Sequence, residues 1–109
     1  MSETQLSASI RGALEANGVW VIRTGVNMKR GKRGTQSGEP GMPDLLLPEF
    51  GWLETKTDEG AVSPVQFVWH QKAKMRGVRV AVVRSIEEAL MQVSLWKIAR
   101  GPTNLRRIK

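Results

Sequence analysis

The sequence contains no cysteine, no tyrosine and only one histidine among its 109 residues. Without cysteine the chain has neither disulfide bonds nor thiolate metal ligands, and a reducing compartment suits it. No apolar run approaches the ~18–20 residues that a membrane-spanning helix needs, and the N-terminus lacks the apolar core of a signal peptide. We therefore expect a cytoplasmic protein that has no membrane partner.

Acidic residues are scarce: there are 10, against 17 lysines and arginines, which gives a net charge of +7. A polyanion is the natural partner of such a chain, and nucleic acid is the foremost polyanion in a cell. A ribosome-associated or merely basic domain would have the same balance, so charge alone does not decide between them. The length, residues 1–109, corresponds to a single domain with a modest core.

Two short apolar runs flank residues 48–50, where a hairpin turn fits. Asp44 opens the first run, and Glu54, Thr55 and Lys56 close the second. Because side chains alternate along a strand, Glu54 and Lys56 share one face while Thr55 points the other way. Antiparallel pairing then places Asp44 opposite these residues. We expect two carboxylates and an ammonium to converge at one end of a sheet.

This combination of charges suits a hard divalent cation. Mg²⁺ prefers octahedral oxygen ligands, usually one or two carboxylates with waters and substrate phosphate. Asp44 and Glu54 would supply the carboxylates, and the backbone carbonyl of Thr55 a third oxygen. Mg²⁺, or Mn²⁺ as a substitute, would lower the pKa of a water and offset charge on the phosphate. Lys56 would orient that water and stabilise the charge developing at phosphorus.

These residues also carry a resemblance to known nucleases. The sequence Pro43-Asp44, nine further residues and Glu54-x-Lys56 resembles the PD-(D/E)XK nuclease superfamily. With Gly41 before it, and Ser63-Pro64-x-Gln66 and Gly77-x-x-Val80-x-Val82 after it, the pattern resembles more narrowly the virus-type replication-repair nuclease (VRR-NUC) domain, over roughly residues 3–90. The resemblance implies a Mg²⁺-dependent DNA endonuclease of phage or bacterial repair. It also implies that the amide of Gln66 lies near the active-site lysine or the scissile phosphate.

The first helix contributes a further candidate. Residues 3–17 have an amphipathic pattern, with Ser2 as N-cap and Gly18 just beyond the end. At about 100° per residue, Glu3 falls on the inward side of this helix and Glu15 on the solvent side. The VRR-NUC family has an acidic residue at the start of this helix. We therefore expect Glu3 to support the metal directly or through water, although it would also complement the helix dipole.

A glycine-rich basic segment, residues 25–41, follows a β-branched run at Val19–Thr24 that predicts the first strand. The segment has five glycines and no apolar stripe, so we expect a loop. Its place just before Pro43-Asp44 favours contact with a substrate, whereas the alternative is a solvated loop without a role. A second basic segment, the tail 101–109, is expected to form a flexible arm. The predicted nucleic-acid contacts are Arg23, Lys29, Arg30, Lys32 and Arg33.

The remaining pattern predicts a helix from Ser63 to about Arg76, a strand at Val78–Val83 and a last helix through about Ala99. In the helix that is predicted from Ser63 to about Arg76, we expect His70 on the surface. The element order is then α-β-β-β-α-β-α, an α/β fold in which helices flank a small mixed sheet. This is the restriction-endonuclease-like core that the resemblance implies. The side chains expected to face inward from the helix after Ser63 are Val65, Val68, Trp69 and Ala73.

The last helix has two apolar stripes, about 160° apart at 100° per residue. The first would dock on the sheet, and the second would face water in a monomer, which predicts a homodimer. Alternatively, the basic tail covers the second stripe. A dimer would hold two active sites in fixed relation, as paired cuts across a four-way DNA junction require. The alternatives to junction cleavage are flap-directed, end-directed or non-specific cleavage, or DNA binding without chemistry. The first stripe is Ile86, Ala89, Leu90 and Val93, and the second is Met91, Leu95 and Ile98.

Overall fold

A computed structural model describes residues 1–24 and 39–100. Within them the chain is an α/β protein with three helices and a four-stranded mixed sheet, in the predicted order α-β-β-β-α-β-α. Most of the basic loop, with Lys29, Arg30, Lys32 and Arg33, and the tail 101–109 lie outside the described residues. The helices are α1 (Glu3–Ala16), α2 (Pro64–Met75) and α3 (Ile86–Arg100), and the strands are β1 (Ile22–Arg23), β2 (Leu45–Leu47), β3 (Gly51–Thr55) and β4 (Val80–Val83).

The sheet has the order β1-β2-β3-β4, and the predicted hairpin lies at its centre. Strands β2 and β3 pair antiparallel, with Leu45 opposite Leu53 and Leu47 opposite Gly51. The amide of Phe50 donates to the carbonyl of Leu47 at 2.8 Å and closes the turn. Strand β4 runs parallel to β3, which requires a crossover, and α2 provides it. The hairpin prediction is confirmed.

The core lies between the sheet and the two helices α1 and α3, which pack on each other. Alternate β2 side chains, Leu45 and Leu47, are fully buried, as is Leu53 of β3. Helix α1 adds Ile10 and Leu14, which are also fully buried. Because this core anchors the hairpin on one face, it fixes the strand ends that carry the charged residues.

The first strand is shorter than predicted. The sequence pattern predicts a strand over Val19–Thr24, but β1 is limited to Ile22 and Arg23, which face Leu46 and Leu45. The reason is the length of its neighbour: β2 has three residues and is followed directly by Pro48, which has no amide hydrogen to donate. Before Ile22, Val19 and Val21 enter the core outside any strand, and Trp20 between them is exposed.

Helix α2 is rotated relative to the prediction. Val65 and Val68, expected to face inward, are 51% and 65% exposed, whereas His70, expected on the surface, is only 6% exposed. The prediction follows the most apolar stripe, but α2 lies outside the main core and docks through the face of Gln66, His70 and Ala73. A polar bond from Gln66 to the sheet, described below, accounts for this orientation. The burial of Ala73 is as predicted.

Helix α3 has the two predicted faces. Ala89 and Val93 are buried in the core, and Ile86 and Leu90 pack against it. The second stripe is exposed: Met91 is 62%, Leu95 53% and Ile98 75% accessible to solvent. None of the described helices has the length and apolar character needed to cross a membrane.

Candidate active site at the open end of the hairpin

The two predicted carboxylates meet at the open end of the β2–β3 hairpin. Asp44 directly precedes β2, and the register that pairs Leu45 with Leu53 continues to place Asp44 opposite Glu54. The amide of Thr55 approaches Asp44 Oδ2 at 3.4 Å, so the carboxyl group reaches across to β3. Glu54 is only 1% exposed. The sheet therefore holds two carboxyl groups on neighbouring strands, with Glu54 buried and Asp44 half-buried.

Thr24 anchors the backbone that carries Asp44. Its amide donates to the carbonyl of Asp44 at 2.9 Å, and its hydroxyl donates to the carbonyl of Pro43 at 2.6 Å. The hydroxyl also lies 3.1 Å from the carbonyl of Asp44. Sequence reasoning missed this residue, because a threonine at the end of a short strand does not reveal a partner 20 residues away.

Replacing Thr24 by valine should lower the free energy of unfolding by about 1–2 kcal/mol, the usual effect of losing a partly buried hydrogen bond and leaving a carbonyl unsatisfied. Urea denaturation of the metal-free protein would measure it. Thr24→Ser is the matched control, because it keeps the hydroxyl and should stay within about 0.5 kcal/mol of wild type. Equal losses in both variants would show that the methyl group, rather than the hydroxyl, stabilises this position.

Lys56 lies between two carboxylates. Its Nζ is 3.8 Å from Glu54 Oε2 and 3.8 Å from Glu3 Oε2. The lysine is buried, whereas Glu3 is nearly half exposed at the start of α1. Glu15 points away and pairs with Arg11 at 3.2 Å. Glu3 therefore lies on the side of the site as predicted and Glu15 does not, although the two side chains are equally exposed, at 46%.

Gln66 bonds both to its own helix terminus and to the site. Its Oε1 accepts from the amide of Ser63 at 2.9 Å, while the Ser63 hydroxyl accepts from the amide of Gln66, which completes the predicted capping box. Its Nε2 donates to Glu54 Oε2 at 3.0 Å. This same oxygen lies 3.8 Å from Nζ of Lys56, so the amide and the lysine share Glu54 as a partner; proximity of Gln66 to the scissile phosphate, the other position implied by the resemblance, stays a prediction.

Negative charge at the site is poorly compensated. Among the described residues, buried Glu54 Oε1 has no hydrogen-bond partner. Burial, together with the neighbouring Asp44, raises the pKa of Glu54 to about 8, although Lys56 acts in the opposite direction. Burial likewise raises the pKa of Asp44, and the backbone hydrogen bond from Thr55 only partly offsets it. A cation placed between the two carboxyl groups would satisfy the free oxygen and favour both ionised forms.

The side chains at the site fit an ion such as Mg²⁺, which needs few protein ligands, rather than a metal that is held by protein ligands alone. In residues 1–24 and 39–100, no three acidic, histidine or cysteine side chains converge closely enough to hold a metal. Glu3 therefore contacts the lysine and is not gathered with Asp44 and Glu54. Two carboxylates completed by water and phosphate oxygens are typical of Mg²⁺. The part expected of the Thr55 carbonyl stays a prediction.

A turn held by Arg84 supports the stem of Lys56. The guanidinium donates from Nη1 to the carbonyl of Thr57 at 2.6 Å and to that of Gly60 at 2.8 Å. A methyl group added at Gly60 would lie 3.5 Å from Cδ of Lys56, so this turn packs directly against the lysine. The sequence pattern predicts only that Arg84 continues the strand. Its role could not be read from the sequence because both partners lie in a distant turn.

His70 is buried one helical turn beyond Gln66, on the same face of α2. Burial lowers the pKa of its imidazole, and the positive charges of Lys74 and Lys56 lower it further. Its Nε2 has no hydrogen-bond partner within the described residues. A neutral imidazole beside the lysine avoids placing a second positive charge in the same buried region.

No protein-family model, curated protein or solved structure with which the chain was compared matches it.

Proposed function

We propose that the protein is a divalent-metal-dependent phosphodiesterase that acts on DNA. One observation carries the proposal: the buried carboxylate of Glu54, with one oxygen unpartnered among the described residues, lies beside the half-buried Asp44 and a buried lysine. Purely structural burial of two adjacent carboxyl groups costs several kcal/mol unless a cation or protons compensate them. Such a combination is typical of a site in which a bound metal ion and a phosphate group compensate the charges of the side chains.

Each residue of the site has a role in this proposal. Asp44 and Glu54 hold the metal, which when bound polarises the scissile phosphate and acidifies the attacking water. Gln66 fixes the carboxylate of Glu54 through its 3.0 Å hydrogen bond. Lys56 orients the attacking water and stabilises the negative charge that develops at phosphorus. Hydrolysis adds that water to phosphorus and breaks the bond to one ester oxygen, which leaves a phosphomonoester and an alcohol.

DNA is the proposed substrate because the surface is basic and because the motif resembles that of VRR-NUC nucleases. The net charge of +7 includes the carboxylates of the site, so the remaining surface is more positive still. Arg23 lies exposed on β1, directly before the glycine-rich basic segment. A phosphodiester backbone running past this edge would meet positive charge on its way to Asp44.

The experiment that tests this function uses protein stripped with EDTA. It is incubated with supercoiled plasmid and with a synthetic four-way junction, in Mg²⁺, Mn²⁺ or EDTA. Cleavage with Mg²⁺ or Mn²⁺, and none in EDTA, is expected. DNA binding without cleavage in any metal would favour the alternative, a binding module with the same fold.

Glu3 and Glu15 give a paired test within one helix. Glu3→Gln should lower the cleavage rate by roughly tenfold, because it removes the charge that faces Lys56 and, through water, the metal. Glu15→Gln, on the solvent side, should cleave at the wild-type rate. Single-turnover cleavage of the junction measures both. Equal effects of the two substitutions would show that Glu3 has no special relation to the site.

We also propose a homodimer formed through the exposed stripe of α3. Met91, Leu95 and Ile98 lie on one face of α3 and are all more than half exposed. Apolar faces of this kind usually mark an interface, and a two-fold axis is the commonest way to cover one. Paired active sites would suit four-way junctions, which need two coordinated cuts.

Leu95→Glu should convert the dimer to a monomer in sedimentation experiments at micromolar concentration. The expected reason is that a carboxylate placed in an apolar interface has no partner there. Met75→Glu is the control, since Met75 is 84% exposed on a different helix. A monomeric wild type, or a dimer that persists in Leu95→Glu, would remove this interface and the case for junction cleavage.

A further inference from the structure

A groove of about 550 Å³ lies between the chain at Glu39–Pro40 and one side of α2. Its walls are mainly apolar, and they include Val65 and Val68, the two valines that the sequence predicted to be buried. Lys72 and Glu39 provide the charged groups. The exposed valines therefore do not lie on a featureless surface but line one side of a concave site.

This groove adjoins the candidate active site. Pro64 and Val65, which line it, directly precede Gln66, whose amide donates to Glu54. On the other wall, a methyl group on Gly41 would overlap the carbonyl oxygen of Val65, so the chain there lies against the start of α2. Asp44 follows three residues later. The groove is thus linked to the carboxylate pair through its two walls: the chain of one wall leads to Asp44, and α2 contacts Glu54 of β3 through Gln66.

The groove wall is held in place by its own contacts. The indole Nε1 of Trp69 donates to Glu39 Oε1 at 3.0 Å. The ring of Trp69 also packs edge-on against Trp52 of β3, with 5.3 Å between the ring centroids. These contacts fix the tryptophan wall of the groove, so little of it needs to be ordered when a ligand binds.

We propose that this groove binds one unpaired base of the DNA substrate, next to the phosphate that is cleaved. The inference rests on the proposed function and assigns a further part of the same substrate. A base has two apolar faces that suit walls made of valine, proline and tryptophan, and stacking of this kind tolerates any base. The carboxylate of Glu39 accepts hydrogen bonds from the amino groups on base edges.

Charge complementarity favours a nucleotide over an apolar peptide. Lys72 lies in the groove, Lys74 and Arg76 follow along the same helix, and residues 64–76 contain no acidic residue. Of these, Lys72 and Arg76 lie one helical turn apart on the side of the groove and suit the phosphates on either side of a bound base. An apolar partner segment would leave them without a counter-charge. A second copy of this chain, or residues 25–38 of the chain itself, are the occupants that the test must exclude.

The test uses fluorescein-labelled duplex DNA with one bulged nucleotide, and the same duplex with an abasic bulge. Fluorescence anisotropy in EDTA measures binding without cleavage. Wild type should bind the bulged base roughly five- to a hundredfold more tightly than the abasic bulge. Val68→Asp should reduce this ratio to about one, because a charged group replaces an apolar wall that is already exposed and so does not disturb the fold.

Met75→Asp is the matched control, because it adds the same charge to the same helix outside the groove. It should keep the wild-type ratio. A ratio of one in wild type, or equal losses in the two variants, would overturn the proposal. A ratio of one accompanied by a smaller sedimentation mass for Val68→Asp alone would show instead that the groove joins two copies. Full retention of the ratio in Val68→Asp would show that the base lies elsewhere.

Failure of this proposal is distinguishable from failure of the proposed function. If wild type cleaves DNA but binds the bulged base and the abasic bulge equally, the proposed base site is wrong and the proposed phosphodiesterase activity is retained. If wild type prefers the bulged base as expected but cleaves no phosphodiester, the base site is retained and the proposed phosphodiesterase activity is wrong.

Discussion

Asp44→Asn, Glu54→Gln and Lys56→Met should each lower the single-turnover rate of DNA cleavage by roughly a hundred- to a thousandfold or more. The first two replace the charged oxygens that would hold the metal with neutral amides of the same shape. The third removes the ammonium that lies 3.8 Å from Glu54 and from Glu3. All three act on charge that develops in the transition state, which is why their effects should be large.

DNA binding should survive these substitutions. Binding measured in Ca²⁺ depends on the basic surface rather than on the carboxylate pair, so the dissociation constant should change little. Glu15→Gln is the control for a carboxylate of α1 that lies away from the site, and circular dichroism would confirm that each variant is folded. A wild-type cleavage rate in any of the three site variants would refute the assignment of the active site.

The second large effect is expected in the metal-free protein as a function of pH. The pKa of Glu54 is raised to about 8 in the folded state, mainly by burial, from its ordinary value of 4.5. The folded state therefore binds this proton more tightly than the unfolded state does. The contribution of Glu54 to the free energy of unfolding should therefore be greatest below about pH 4.5. It should fall as the pH rises from there to about 8, and should then level off. The raised pKa of Asp44 acts in the same direction.

Urea denaturation in EDTA at pH 5 and at pH 8 would measure the change. Because one pKa unit corresponds to about 1.4 kcal/mol, we expect wild type to lose on the order of 2–4 kcal/mol across this range. Glu54→Gln should lose much less, and it should be more stable than wild type at pH 8. Equal losses in the two proteins would show that Glu54 ionises freely in the fold, and that the site has no uncompensated charge for a metal to stabilise.

Local patterns were enough to predict the hairpin and the helix caps. The turn at residues 48–50, the N-cap at Ser2 and the capping box at Ser63 depend on neighbours within a few positions, and these features are present in the structure. The approach of Asp44 to Glu54 follows from the same hairpin. The helical wheel of α1 likewise placed Glu3 toward Lys56 because that helix has one clear apolar stripe.

The contacts that could not be predicted are those between distant segments. Helix α2 docks through the face that bears Gln66, His70 and Ala73, where Gln66 bonds to Glu54, and leaves its valines exposed. The bonds from Thr24 to the carbonyl of Asp44 and from Arg84 to the turn at Gly60 connect segments about 20 residues apart or more. No single-sequence pattern encodes which of these pairs will meet.

The central claim is that the carboxylates of Asp44 and Glu54 together bind a divalent metal ion, and Mn²⁺ titration followed by electron paramagnetic resonance tests it most directly. At pH 8 and without DNA, wild type should remove Mn²⁺ from the free pool with one site on the carboxylate pair. The double variant Asp44→Asn/Glu54→Gln, which keeps the side-chain shapes, should lose that uptake, while Glu15→Gln should keep it. Equal uptake by wild type and the double variant, or none by wild type, would contradict the account.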